Sequence, residues 1–595
     1  MKSNSFLGKK IWQNGLIIAL IFLISIASSG CSPARFKTEA ASVPQVVFSS
    51  LSDPKTFNPP LSNESNTFGY TFEGLTTQNG ITAEVEPGLA ESWEISPDKL
   101  RFTFTLRPGL KWSDGAPLTA DDVVFTYNEV YFNPKIPNST IDVLRIGESR
   151  ALPKVRMLDD RRIEFTLPEP FAPFLRTTGS EILPAHILRA SVDKLNSKGE
   201  PEFLSMWGVD TPLEELVGNG PYVLTNYQTN QRMVFQRNPH YWKQDAQGNP
   251  QPYIERVVLQ IVEKQDTSLL QFRSGDLDYI GVSPETFELL KREEKRGKFT
   301  IYNGGQAMGT TFIAFNLNLG RNADSNKPVV DPIKSSWFNN LKFRQAVAYG
   351  IDRQTMINNT FRGLGEPQNS HISIQSPYYL PPEKGLKVYD YNPEKAKQLL
   401  LEAGFKYNEN QELLDAQGNL VRFTLHTNAG NQTREAMGAQ IKQDLGKIGI
   451  RVDFQPIAFN ALVGKLSDSL DWECILIGFT GGVEPNNGAN LWAPEGRLHI
   501  FNLDRQPGQT PLVGRKVFDW ERKLGDLYVK GAGELDETKR KAIYNETQQL
   551  VQEHLPVIHL VNPLSLAAVR DRVKGIEYSA LGGAFWNLNE LKIEE

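Results

Sequence analysis

From Arg101 to Leu106 polar and apolar residues alternate (Arg, Phe, Thr, Phe, Thr, Leu), the two-residue period of a half-buried strand with its phenylalanines on one face. Pro108-Gly109 predicts a turn that ends this strand, and Asp114-Gly115 a second turn after the short Leu110-Lys111-Trp112 segment. Beyond Leu118 the period becomes helical. Thr119 is placed to cap a helix, Asp122 sits three residues on as its capping-box partner, and Val123, Val124 and Tyr127 form the apolar stripe. Asp121 and Asp122 therefore serve a helix N-terminus, where the macrodipole favours negative charge. Neighbours on a helix diverge by about 100°, the wrong geometry for a catalytic pair of carboxylates.

The same reading carries down the chain. Val46–Pro59 is a strand followed by a turn-rich loop, and the aromatics of Ser65–Thr77 are spaced for a buried helix. Val217–Tyr227 is a glycine turn opening a strand, and Met233–Trp242 a strand closing on a turn. Pro252–Val282 reads as strand, helix, turn and strand; Asp276 and Asp278 lack the later ligands of a calcium loop and are assigned to a solvated turn. After a strand at Thr310–Asn318, Asn339–Phe361 is amphipathic, and Tyr391–Phe405 has Pro393 at a helix start and Gly404 at its end. Thr433–Phe454 is helix, glycine stop and strand, and Glu553–Asn562 a buried strand. No repeat recurs with a period of 20–50 residues, which excludes solenoids and propellers and leaves mixed α/β lobes.

Length changes this picture first: 595 residues exceed the roughly 250–300 that one core organises, so two or three domains are expected. A hydrophobic content of 40% and 32 phenylalanines supply ample core material. The N-terminus differs in kind. Lys2, Lys9 and Lys10 precede the apolar run Gly15–Ala27, and Ser-Ser-Gly leads to Cys31, the layout of an export signal. The last four residues resemble a bacterial lipobox, in which Cys31 would be diacylated, although Ser28 stands where Leu is usual. Only Cys31 and Cys474 exist, so a lipidated Cys31 leaves no intrachain disulfide. Removing the signal takes the net charge from −5 to about −8, against a nucleic-acid partner. No HExxH, Walker A loop, GxSxG elbow or paired CxxC is present, and Gly218-Asn219-Gly220 lacks the rest of a phosphate cradle. The seven histidines are thinly spread; His554 and His559, read on one strand, face opposite ways, and Cys474 lies in an apolar run without a base. These absences favour a binding protein without catalysis, metal or cofactor.

Several blocks occur in a particular order: Glu86–Tyr127, Gly-Asn-Gly-Pro-Tyr at 218–222, Asn-Pro-His-Tyr-Trp at 238–242, Ser274–Ile280, Phe343–Arg353, Tyr391–Phe405 and Ile441–Val452. Together they resemble the extracellular solute-binding proteins of peptide-type ABC transporters, the oligopeptide, dipeptide and nickel class, over essentially the whole chain after the export signal. The resemblance implies an α/β fold with mixed α+β elements: a two-lobed periplasmic-binding-protein-like architecture (type II) with an extra subdomain and two hinge strands. Residues 1–30 would be the lipoprotein signal peptide and 31–42 a tether. Lobe I would comprise 43–83, 218–309 and 555–595, its extra subdomain 84–217, and lobe II 310–554. Phe312–Asn318 and Leu555–Val561 would be the hinges.

In peptide-binding members the ligand lies extended between the lobes, and one loop supplies backbone groups and an Asp for the α-ammonium. The resemblance puts that loop at Leu476–Pro485. Gly478, Phe479 and Thr480 match its start, and Gly482 stands where the Asp is expected; either Glu484 is the equivalent acid or the ligand chemistry has changed. Phe479 would stack on a ligand side chain, and Gly481 and Gly482 would admit close backbone approach. Ser62, Asn63 and Glu64 resemble a cleft-lining loop, and His559 and Asn562 fall near the family's aromatic contacts. The implied role is the substrate-binding component of an ABC importer, a lipid-anchored monomer in the periplasm or at the cell surface. It would capture a small solute, foremost an oligopeptide, for an ABC permease. A sensor or chaperone on the same fold, and a nickel or other non-peptide carrier, are the alternatives.

Overall fold

The structure, a computed structural model, describes residues 43–62, 68–138, 140–505 and 509–594. The expected export signal and tether, Cys31, Asn63 and Glu64 lie outside the described residues.

The alternating segment forms its strand. Phe102, Phe104 and Leu106 are buried, and Phe104 meets Phe165 edge-on at 5.6 Å. Arg101–Leu106 sits in a four-stranded antiparallel sheet between Ala90–Ile95 and Arg162–Thr166, with Lys154–Asp159 outermost. A second four-stranded sheet runs Gln45–Ser50, Arg256–Ile261, Arg232–Arg237, Tyr222–Gln228, its first pair parallel and the rest antiparallel. These two sheets share one hydrophobic core, in which Val46, Phe104, Trp112 and Tyr222 all take part. A separate core surrounds a five-stranded sheet ordered Arg451–Ile457, Arg422–Asn428, Cys474–Phe479, Thr310–Phe315, Val557–His559. Two large cores in one chain satisfy the limit that its length imposes.

A fourth sheet connects them. Its long strand Val561–Arg570 pairs with Phe299–Gln306, Tyr279–Gly281 and Gly365–Pro367. The chain passes from this sheet to the five-stranded one at 307–309, and returns at Leu560, between Val557–His559 and Val561–Arg570. The expected second hinge, Leu555–Val561, contains the return. The expected first hinge, Phe312–Asn318, begins after the outward crossing: Phe312–Ala314 is already paired on both edges and buried. The chain crosses at 307–309, between Phe299–Gln306 and Thr310–Phe315.

Local chemistry explains which other expectations held. Thr119 caps Ala120–Phe125 in a capping box: its amide donates to Asp122 Oδ2 at 2.9 Å, and its Oγ1 accepts from the Asp121 amide. Asp121 turns outward to a two-pronged pair with Arg189, while Asp122 Oδ1 accepts from the Ala185 amide. The two carboxylates therefore diverge. Pro393–Glu402 begins at its proline, and Gly404 ends it at φ +90°. The amphipathic run from Asn339 becomes two helices, Leu341–Gly350 and Arg353–Asn359, because Asp352 starts a new cap by accepting from the Thr355 amide.

Two further readings are corrected. The described part of Ser65–Thr77 is one tight turn, Phe68–Tyr70, leading to a strand at Thr76, because Gly74 lies against the Gly179 backbone, where a Cβ would come within 2.4 Å. Asp276 is exposed, but Asp278 does not sit in a solvated turn. It is buried, accepts from the Val47 amide at 2.8 Å and grips Arg572 through two 2.6 Å contacts. This carboxylate ties the first strand to the C-terminal segment across 231 and 294 residues of sequence. Asp278→Ala is expected to lower stability by about 1–2 kcal/mol, since it orphans the buried Val47 amide while the half-exposed Arg572 keeps solvent and the Gln45 carbonyl; chemical denaturation of the variant checks this.

Candidate functional site

Where the two crossings meet the five-stranded sheet, a cavity of about 300 Å³ opens. Strand register builds its floor. Thr310 lies opposite Phe479 on one neighbour, and Phe312 lies opposite His559 on the other. The Phe312 ring thus sits 5.5 Å from Phe479 and 6.3 Å from His559. The loop after Phe479 forms one wall through Thr480, Gly481, Gly482 and Glu484. His371, Ser373, Trp492 and Tyr528 close the others. Asn487, Asn490 and Tyr528 also line a second cavity of about 700 Å³, which runs between segments 143–171 and 486–533. Beside it the Ala172 amide donates to the Ala532 carbonyl at 2.8 Å, joining the two halves of the molecule.

The loop glycines have distinct reasons. A Cβ on Gly481 would lie 1.8 Å from the Met308 carbonyl oxygen, and one on Gly478 would lie 2.8 Å from the Thr310 carbonyl oxygen. Gly478 and Gly481 therefore stand where the chain is pressed onto the backbone at Met308 and Thr310, with no room for a Cβ. Gly482 differs: a Cβ there meets only Asn487 Nδ2, at an ordinary 3.5 Å. Phe479 is half-buried and offers an edge to the cavity.

Glu484 lines the cavity, but its charge is already matched. Its Oε1 lies 2.6 Å from Arg540 Nη2, with both side chains buried, and it also accepts from the Asn486 amide at 3.0 Å. Arg540 is further held by the Tyr378 hydroxyl and the Gly531 carbonyl. Burial works against its guanidinium charge, and Glu484 more than offsets this, holding Arg540 above its ordinary value. The carboxylate is thus a structural partner rather than a free anchor.

Of the two histidines in the lining, His559 was among the expected site residues, and His371 is the one that sequence reading missed. His371 and His559 are far apart in the chain, yet both line this cavity. The His371 ring lies 4.4 Å from Trp492, and among the described residues neither of its nitrogens has a hydrogen-bond partner. His559 is 3% exposed with Nδ1 unpartnered, while its carbonyl accepts from Arg353 Nε. Burial, aided by the Arg353 charge, pushes His559 down to about 3, and burial with His559 drives His371 well below its usual value. Both imidazoles are neutral. His554 ends the helix Glu537–His554 instead of sharing a strand with His559. Among the described residues no cluster of His, Cys, Asp and Glu could hold a metal ion. Cys474 is fully buried, and burial raises its thiol well above the ordinary range.

Of the other expected site residues, Asn562 is buried on the connecting strand and Ser62 ends the short turn Pro59–Leu61; neither lines the cavity. Asn63 and Glu64 lie outside the described residues.

Two sheets on separate cores, joined by two adjacent crossings with a cavity at their junction, define a two-lobed periplasmic-binding fold. The profile described as "Bacterial extracellular solute-binding proteins, family 5 Middle" matches residues 84–496, and the chain belongs to that family. A probable ABC transporter-binding protein of Deinococcus radiodurans is 30% identical over 553 residues, covering 89% of this chain and 88% of its own. The oligopeptide-binding protein AppA of Bacillus subtilis is 24% identical over 576 residues, 95% of each chain. The structure of AppA in complex with a nonapeptide matches the fold with a TM-score of 0.71, at 23% identity, over 93% of this chain and 99% of that one. Among the described residues no helix is long and apolar enough to cross a membrane.

Gly481→Ala is expected to cost about 2–3 kcal/mol through overpacking against the Met308 carbonyl, whereas Gly482→Ala leaves stability within about 0.5 kcal/mol. Thermal unfolding of the two variants side by side makes the comparison. A second expectation concerns pH. The folded state holds His559 neutral down to about 3, while in the unfolded chain it takes a proton near pH 6.5, so acidification favours unfolding. Stability attributable to His559 should fall by about 1.4 kcal/mol from pH 7.5 to pH 5.5, and His559→Gln should flatten the measured profile by that amount.

Proposed function

We propose that this protein is the solute-capturing component of an ABC importer, closing its two lobes over an oligopeptide and delivering it to a membrane permease. The observation that carries this reading is the cavity at the junction of both crossings, walled by the strands that link the lobes and by the loop Phe479–Glu484. A ligand held there stabilises the closed arrangement by its differential affinity for it. The oligopeptide class rests on the names of the relatives, several of which are described as oligopeptide- or dipeptide-binding proteins. The protein acts as a monomer in the periplasm or on the cell surface, held to the membrane by lipid on Cys31, and catalyses no reaction.

Residues 32–595, purified without the lipidated cysteine, test this through native mass spectrometry of whatever co-purifies. A ladder of peptide masses supports the reading; a single non-peptide mass redirects it to another solute. In cells, deletion of the gene should abolish uptake of the ligand so found, and unchanged uptake would overturn the transport role. Phe479→Ala is expected to weaken binding about tenfold by removing an aromatic contact, and titration calorimetry measures it.

A further inference from the structure

The inner cavity has an unusual electrical balance for its polarity. Its ionisable lining is Glu484, His371, His559 and Tyr528. Glu484 is neutralised by Arg540 at 2.6 Å, both imidazoles are neutral, and burial holds the Tyr528 hydroxyl well above its ordinary range. Among the described residues no lysine, arginine or aspartate lines this cavity. The charged residues begin further out: Arg145, Glu148, Glu169, Arg497 and Asp526 line the adjoining crevice. An ammonium or carboxylate seated in the inner cavity would be a buried charge without a counter-ion, which is costly.

The polar groups that do face it are of one kind. His559 Nδ1 and both nitrogens of His371 are buried without partners, and Thr310, Thr480, Asn487 and Asn490 stand around the same space. A neutral imidazole offers one donor and one acceptor. Buried polar atoms of this kind are matched by a ligand that carries both functions and no charge. Amides and hydroxyls have that character.

Building on the solute-capture reading, we propose that the inner cavity selects an uncharged amide or hydroxyl group, so that a peptide bound here presents a blocked end or an internal amide rather than a free α-ammonium. The charged crevice outside takes the remainder of the ligand.

The test uses residues 32–595, unfolded and refolded to release bound material, and titrates it with matched pools of short peptides. One pool has free termini, one is N-acetylated, and one is N-acetylated and C-amidated; a neutral oligosaccharide set is run beside them. Blocked peptides are expected to bind about thirtyfold or more tightly than their free-amine counterparts, as an unpaired buried charge requires. Equal or tighter binding of the free-amine pool would falsify the proposal while leaving peptide capture intact. Binding of the oligosaccharides but of no peptide pool would remove the peptide reading and support the uncharged cavity. A gain-of-function variant gives an independent check. Gly482→Asp places a carboxylate on the cavity wall, where its Cβ meets only Asn487 at 3.5 Å, and should raise affinity for the free-amine pool about tenfold or more. If this variant keeps its melting temperature and the blocked-to-free ratio does not move, the selection lies elsewhere and the proposal fails.

Discussion

The cavity depends on the hydrogen-bonded insertion of Thr310–Phe315 between Cys474–Phe479 and Val557–His559. This one strand begins immediately after the outward crossing, and its far neighbour ends immediately before the return. Two ladders therefore fix both crossings relative to one sheet. The same ladders settle which side chains share a face, because strand period and register leave no freedom once the pairing is set. Phe312, Phe479 and His559 come together for this reason, although they are separated by up to 247 residues of chain. Gly481 completes the arrangement by letting the loop lie on Met308.

A second constraint is electrical. A buried glutamate beside a ligand cavity is either a binding group or a liability, and its partner decides which. Here Arg540 comes from the long helix Glu537–His554 and is itself fixed by Tyr378 and Gly531. A ligand cation beside Glu484 would share a carboxylate whose charge Arg540 already balances, so the pair adds no net negative charge to hold it. The pair works instead as scaffolding: it pins the loop end to the helix, and the Asn486 amide bond continues that anchoring into the next turn.

How much of this was legible in the sequence follows from the range of the interactions. The strand at Arg101, the capping box at Thr119, the proline start at Pro393 and the glycine stop after the helix Gln432–Gly446 depend on neighbours within a few residues, and they were read correctly. The aromatic run after Ser65 misled because helical spacing says nothing of Gly74 meeting Gly179, about a hundred residues away. Asp278 looked like a turn residue because Arg572 is 294 positions distant. The same blindness hid the site. His371 lies in a polar stretch without periodicity, and its proximity to Trp492 and His559 arises only from folding. Glu484 was visible as an acid, but Arg540, 56 residues on, was needed to show that it is occupied.

Closure gives these details a common thermodynamic meaning. Burying a polar nitrogen costs about 1–3 kcal/mol when no partner is supplied, so His371 and His559 in the cavity wall favour a ligand that hydrogen-bonds them. A ligand that does so binds the closed form better than the open one, and that difference alone can shift the population. Fixed charges in the cavity would work less cleanly, because their desolvation would oppose closure before any ligand contact repaid it. Neutral imidazoles carry a smaller penalty that is recovered in full by an uncharged partner. On the proposed reading, the cavity's lack of charge and its unpartnered nitrogens act together: they would make closure cheap for a matching ligand and expensive for a charged one.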